Sequence, residues 1–124
     1  MTAYLKPLRK AMPTIFWIGF IVTMMITLMP SHKIHHAFIF WDKAQHALAF
    51  FMLMFTGCVA YSRMSAYIFV GLVFYGASIE LMQEFFTTTR NGDIYDIYAD
   101  TVGVFLGWCF FWVVYQLTHK PKPH

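Results

Sequence analysis

Four long apolar runs, each close to the length needed to cross a bilayer, constrain this chain more than any other feature. The expected helices cover residues 11–29, 44–61, 65–86 and 96–117. A helix needs about 20 residues to cross about 30 Å of hydrocarbon, and each run reaches that length when polar residues at its ends lie in the interface. Four strands cannot close a barrel, and an open sheet edge cannot lie in lipid. The sequence therefore predicts an all-α membrane protein, an antiparallel bundle of four transmembrane helices in one domain over residues 1–124.

Composition supports lipid as the solvent for these runs. The chain has 124 residues, of which 59% are apolar and only 12% are charged. That is about half the charged fraction of a soluble domain, and a soluble domain this small has too little interior to hide so much apolar surface. The nine Lys and Arg residues form no single stripe, so no nucleic-acid partner is expected. Cys58 and Cys109 lie inside apolar runs and are expected to be free thiols.

Basic residues are distributed unevenly between the two sides of such a bundle. The side with both termini carries Lys6, Arg9, Lys10, Arg63, Lys120 and Lys122, and the opposite side carries Lys33, Lys43 and Arg90. Because cytoplasmic segments carry the excess of Lys and Arg, both termini are expected on the cytoplasmic side of a bacterial plasma membrane. The first run is expected to remain as a helix, since it is longer than the roughly 7–15 apolar residues of a signal peptide.

In this topology, all six acidic residues of the chain fall at or near the outer face. They are Asp42, Glu80, Glu84, Asp93, Asp96 and Asp100. Glu80 lies about 10 Å inside the outer end of the third helix. An unpaired charge near mid-bilayer costs about 2.5–3.5 kcal/mol, so Glu80 is expected to face the bundle interior and to be paired or neutral. His46, Lys43 and Arg90 are the candidate partners.

These polar residues predict a pocket that opens to the outer side, where Glu80, His46, Arg90, Asp96 and Asp100 converge. The ligand-binding candidates are Asp42, Lys43, His46, Glu80, Gln83, Arg90, Asp93, Asp96 and Asp100. The competing interpretations are structural: Asp93 and Asp96 as helix caps, and Glu80 with Arg90 as an ion pair that fixes helix register. Asp42 and Lys43 equally suit the membrane interface.

Gly103 and Gly107 are expected to serve helix packing. Small residues four apart let a neighbouring helix approach closely. Both glycines lie on the same stripe of the fourth helix as Asp96 and Asp100, at i, i+4, i+7 and i+11. The stripe with the carboxylates is therefore the stripe that packs, and a homo-oligomer through the Gly103/Gly107 face is a candidate assembly.

The polar residues follow one another in an order that resembles the VanZ-like family of membrane proteins. The matching pieces are Asp42-Lys43-x-x-His46-x-x-x-Phe50, Glu80-x-x-Gln83 and Arg90-x-x-Asp93-x-x-Asp96-x-x-x-Asp100-x-x-Gly103. The resemblance runs from the first helix through the fourth, although the family typically has Asn at the place of Asp100. It implies a four-helix protein of the cell envelope. The founding member is associated with low-level resistance to the glycopeptide teicoplanin, and the family implies no settled biochemical activity.

The leading hypothesis for the pocket is binding of an envelope lipid or amphiphile in the outer leaflet, with Lys43, His46 and Arg90 meeting the phosphate of an anionic lipid. A lipid-modifying enzyme is the alternative, with His46 and Glu80 as acid and base or with carboxylates that hold a divalent cation. Proton or ion movement and a structural partner role also stay open. No nucleophile and no complete metal motif appears, so the sequence predicts no metal ligands and no cofactor.

Overall fold

The computed structural model describes residues 5–28, 39–86 and 94–118. Its helices are α1 (Leu5–Leu28), α2 (Ile39–Ala60), α3 (Ser65–Phe86) and α4 (Ile94–Thr118), and a 3₁₀ turn at Ser62–Met64 links α2 to α3. Each of the four helices is long and apolar enough to cross a membrane, and the described parts of the chain contain no strand. The predicted all-α fold with four membrane-length helices is confirmed.

Two helices begin earlier than the apolar runs indicate. Helix α1 starts at Leu5 rather than at residue 11, and α2 starts at Ile39 rather than at residue 44. The apolar run marks only the stretch suited to hydrocarbon, whereas the helix itself continues into the interface, where long basic side chains extend toward water. Pro13 consequently lies inside α1. A proline there is tolerated in a membrane helix, although the carbonyl one turn before it loses its usual donor.

Contacts between the helices define their relative directions. Phe20 stacks on Tyr75 with ring centroids 3.9 Å apart, and the Gln83 amide reaches the Thr27 carbonyl, so α1 and α3 run in the same direction. Helix α2 returns in the opposite direction, because Trp17 in the middle of α1 donates to the Tyr61 hydroxyl just after α2 ends, whereas Thr27 at the end of α1 lines a groove with His46 near the start of α2. Helix α4 runs parallel to α2 and makes the most extensive contact with it.

Glycine allows the backbones of α2 and α4 to touch. A Cβ atom added to Gly103 would lie 2.1 Å from the carbonyl oxygen of Ala47, and one added to Gly107 would lie 2.6 Å from that of Phe51. Gly103 and Gly107 are both buried by this contact within one chain. The expected homo-oligomer through the Gly103/Gly107 face therefore needs correction, since α2 of the same chain already occupies that face.

The core lies among α2, α3 and α4. Its fully buried apolar side chains are Phe50, Met54, Cys58, Ile79 and Val104. Helix α1 packs more lightly, because few of its side chains are buried and its outer face exposes a row of Ile, Val and Met residues. In lipid such a row is well solvated, so the close packing of α2 with α4 contributes more to the fold than burial of α1 does.

Candidate functional site

Polar side chains of α2 and α4 pair where these two helices begin. The Lys43 Nζ lies 2.5 Å from Asp96 Oδ1, and the His46 Nδ1 lies 3.0 Å from Asp100 Oδ1. The second imidazole nitrogen, Nε2, is 4.0 Å from Asp96 Oδ2. The two helices are parallel, and these residues recur about one turn apart on each of them. The two pairs therefore lie one helical turn apart along the contact.

A third helix adds a carboxylate to this group. Glu80 of α3 is 4% exposed, and one potential ligand atom from each of His46, Glu80 and Asp100 lies within 4.8 Å of the other two. His46 is 6% exposed and Asp100 only 1% exposed. We call Lys43, His46, Glu80, Asp96 and Asp100 the polar cluster. All members of the cluster except Lys43 are buried, as expected for ionisable groups at membrane depth.

Gly76 on α3 makes room for the Asp100 side chain. A Cβ atom at Gly76 would lie 2.8 Å from Asp100 Oδ2. That oxygen is buried and has no hydrogen-bond partner among the described residues, whereas Oδ1 bonds to His46. Sequence reasoning did not single out Gly76. The signal that could have indicated it is a small residue four positions before Glu80, on the same face of α3.

The polar cluster contains more acidic groups than basic ones. Three carboxyl groups face one Lys ammonium and one imidazole, and Lys43 pairs with Asp96. A buried carboxylate oxygen without a partner is costly, so the Asp100 Oδ2 atom favours a proton or a bound cation. An imidazole with two carboxylates is also a common donor set for divalent transition metals. The sequence predicted that these three residues converge but predicted no metal ligands, because it contains no complete metal motif.

A groove between α1 and α2 leads to the polar cluster. It has a volume of about 280 Å³ and is lined by Thr23, Ile26, Thr27, Gln45, His46, Ala49 and Phe50. His46 is the one residue that belongs to both the groove and the cluster among the described residues. The other lining residues were not predicted, because nothing in the sequence indicates which face of α1 lies against α2.

A second groove lies between α1 and α3 toward the opposite end of the bundle. Its volume is about 470 Å³, and it is lined by Phe16, Trp17, Phe20, Tyr61, Met64, Tyr67, Ile68, Gly71, Leu72 and Tyr75. This second groove is apolar and aromatic, and no residue of the polar cluster lines it. The two grooves therefore differ in chemistry although both border α1.

The remaining predicted site residues are not members of the polar cluster. Gln83 is buried, but its amide nitrogen donates to the Thr27 carbonyl at 2.7 Å and so helps to hold α1 against α3. Arg90 and Asp93 lie outside the described residues, and the same holds for the side chain of Asp42. A Glu80–Arg90 pair therefore stays a prediction.

The sequence model of the VanZ/LLP1 family matches residues 7–115, which include every member of the polar cluster and both grooves. The chain belongs to the VanZ/LLP1 family. No curated protein and no solved structure matches it. As a member of VanZ/LLP1 with four membrane-length helices, it is a multi-pass membrane protein.

Proposed function

We propose that this VanZ/LLP1 protein binds an envelope lipid or a related amphiphile in the groove between α1 and α2. The observation that supports this most directly is the composition of that groove, which joins an apolar wall to His46 of the polar cluster. Sites for amphiphilic ligands combine an apolar lining with a few polar groups that fix orientation. The groove also lies at the surface of a helix pair, where a lipid reaches it from the bilayer.

The two ends of such a ligand would meet different residues. Ile26, Ala49 and Phe50 suit an acyl chain, whereas Gln45 and His46 offer hydrogen bonds to a headgroup. The Thr27 hydroxyl donates to the Thr23 carbonyl at 2.7 Å, which leaves its oxygen as an acceptor. An anionic headgroup is the proposed preference, because Lys43 lies one turn before the groove and its side chain remains 24% exposed.

The proposed orientation has both termini in the cytoplasm of a bacterium, so that the groove and the polar cluster lie in the outer leaflet of the plasma membrane. It rests on the excess of Lys and Arg on the terminal side. Alkaline phosphatase fused after Thr118 should be inactive, and the same enzyme inserted within residues 29–38 should be active. The reverse pattern would move the proposed site to the inner leaflet.

Lipid binding is tested by mass spectrometry of lipids that remain on the protein after purification in mild detergent. Ala49→Phe fills the groove with a ring and should lower the retained anionic lipid at least about tenfold, which corresponds to about 1.4 kcal/mol. Gly71→Phe is the matched control, because it places the same ring in the apolar groove between α1 and α3 and should leave anionic lipid unchanged. Equal retention by wild type and Ala49→Phe would reject the groove as the site.

We also propose that this binding contributes to tolerance of glycopeptide or envelope stress. The support is the resemblance to the family whose founding member is associated with teicoplanin resistance. A glycopeptide-sensitive bacterium that produces the wild-type chain should show a higher inhibitory concentration of teicoplanin than one that produces Ala49→Phe. Equal sensitivity at equal protein levels would separate lipid binding from resistance.

A lipid-modifying reaction is the second candidate. The observation in its favour is the bond of 3.0 Å between His46 Nδ1 and Asp100 Oδ1, since a carboxylate in this position fixes the orientation of an imidazole that transfers protons. Lipid extracts incubated with the purified protein would contain a new species if the reaction occurs. An unchanged lipid profile, together with retained lipid, would leave binding alone as the function.

A further inference from the structure

We propose that His46, Glu80 and Asp100 form a binding site for one divalent transition-metal ion in the bundle. The three residues come from α2, α3 and α4 and are all buried. An imidazole nitrogen with two carboxylate oxygens is a donor set that suits Zn²⁺, Mn²⁺ or Fe²⁺.

The three donor atoms are near enough for side-chain rotation to bring them to one ion. One donor atom from each residue lies within 4.8 Å of the other two. Metal–ligand bonds of about 2.0–2.2 Å place the ligand atoms of a tetrahedral ion about 3.3–3.6 Å apart. Side-chain rotations that draw the more distant donors together by up to about 1.5 Å would therefore complete the coordination.

An unused acceptor points to the same ligand. Asp100 is 1% exposed, and its Oδ2 has no hydrogen-bond partner among the described residues. A buried carboxylate oxygen in this state loses its hydration without replacement, which is costly for a charged group. Gly76 lets this carboxyl group approach the α3 backbone closely, since any larger residue there would bring a Cβ atom to 2.8 Å from Oδ2.

The buried oxygen of Asp100 that has no partner among the described residues favours a cation over a neutral ligand. His46 and Glu80 lie beside this carboxyl group. A divalent ion would take one ligand atom from each of the three residues. Asp96 Oδ2, at 4.0 Å from His46 Nε2, then has the position of an outer carboxylate that orients a ligating imidazole. Protons on the carboxyl groups are the competing way to balance the charge.

The test uses the full chain without a polyhistidine tag, stripped with chelator and dialysed against Zn²⁺ or Mn²⁺ in detergent. Elemental analysis should find about one equivalent of tightly bound metal per chain. Glu80→Gln and Asp100→Asn should each weaken binding at least about tenfold. Glu84→Gln is the matched control, because Glu84 lies one turn beyond Glu80 on α3 but is exposed. It should bind like wild type.

Two further measurements keep the proposal falsifiable. His32, His35 and His36 lie outside the described residues and also attract metals, so their triple alanine variant should keep the bound metal. X-ray absorption of the loaded wild-type protein should show nitrogen and oxygen ligands, a result that needs no variant to fold. Substoichiometric metal in the wild type, or loss in the triple variant with retention in Asp100→Asn, would overturn the proposal. Infrared bands of protonated carboxyl groups in metal-treated protein would assign the charge balance to protons instead.

Discussion

The two halves of the α2–α4 contact hold the same pair of helices by opposite means. Near the helix starts, Lys43 and His46 meet Asp96 and Asp100 through charged and polar side chains. Farther along, Gly103 meets the backbone of Ala47, and the rings of Phe51 and Phe110 pack beside this backbone contact. One half depends on side-chain chemistry and the other on backbone proximity.

The difference indicates that the two halves of the contact have different roles in the fold. In lipid, apolar surface gives little driving force for helix association, so close van der Waals contact must supply much of it. The glycine half fixes the separation of α2 and α4, and that separation determines whether the His46 imidazole reaches Asp100. The polar half contributes less to stability, because each charged group loses hydration on burial. The glycine half therefore holds the site in place.

Gly103→Ala should reduce stability the most, because it changes the half of the contact that fixes the separation of α2 and α4. The new Cβ atom would lie 2.1 Å from the Ala47 carbonyl oxygen, and a backbone atom has little freedom to move away. We expect a loss of about 3 kcal/mol in the free energy of unfolding, measured by denaturation in mixed detergent. The ¹⁵N signals of the His46 ring should also move, since the helices are forced apart.

Gly71→Ala provides the control for this change. A Cβ atom at Gly71 would meet nothing within 4 Å, so its effect should stay within about 1 kcal/mol of wild type, the difference in helix propensity. Destabilisation by Gly103→Ala with an unchanged His46 ring would show that the two halves are independent. That result would break the proposed dependence of the site on the glycine contact.

The sequence was sufficient to predict one side of this contact. Asp96, Asp100, Gly103 and Gly107 share a stripe by helical periodicity alone, and all four are buried in the structure. The cost of a charge at membrane depth likewise predicted that Glu80 turns inward, and it is buried. Periodicity and burial cost are local properties of one helix, which is why they can be inferred from a single sequence.

The partner of each inward face could not be predicted in the same way. The register between helices depends on which side chains fit together, and it has no periodic signal along the chain. Gln83 was grouped with the pocket but bonds to the Thr27 carbonyl of α1. Gly76 was overlooked because its role depends on Asp100, a residue on another helix that is distant in sequence.

Gly76→Ala should have an intermediate effect and sharpens the contrast between backbone and side-chain contacts. Its Cβ atom would lie 2.8 Å from Asp100 Oδ2, but this neighbour is a side chain that can rotate. We expect a loss of about 1–2 kcal/mol, below that of Gly103→Ala. The displaced carboxylate should nevertheless perturb the His46 ring as strongly as Gly103→Ala does. An unperturbed ring would mean that Gly76 does not position Asp100.

The smallest effect on stability is expected for the salt bridge between Lys43 and Asp96, which lies nearest to the helix starts. A double-mutant cycle with Lys43→Met and Asp96→Asn should give a coupling of about 1 kcal/mol or less, as for polar pairs of similar exposure in membrane proteins. The Lys43 side chain is 24% exposed, so added salt should reduce this coupling further. The same cycle between His46→Gln and Asp100→Asn should be insensitive to salt, because both groups are buried. A salt-resistant coupling of about 3 kcal/mol between Lys43 and Asp96 would instead make the polar half as stabilising as the glycine half. That result would contradict the different roles proposed for the two halves.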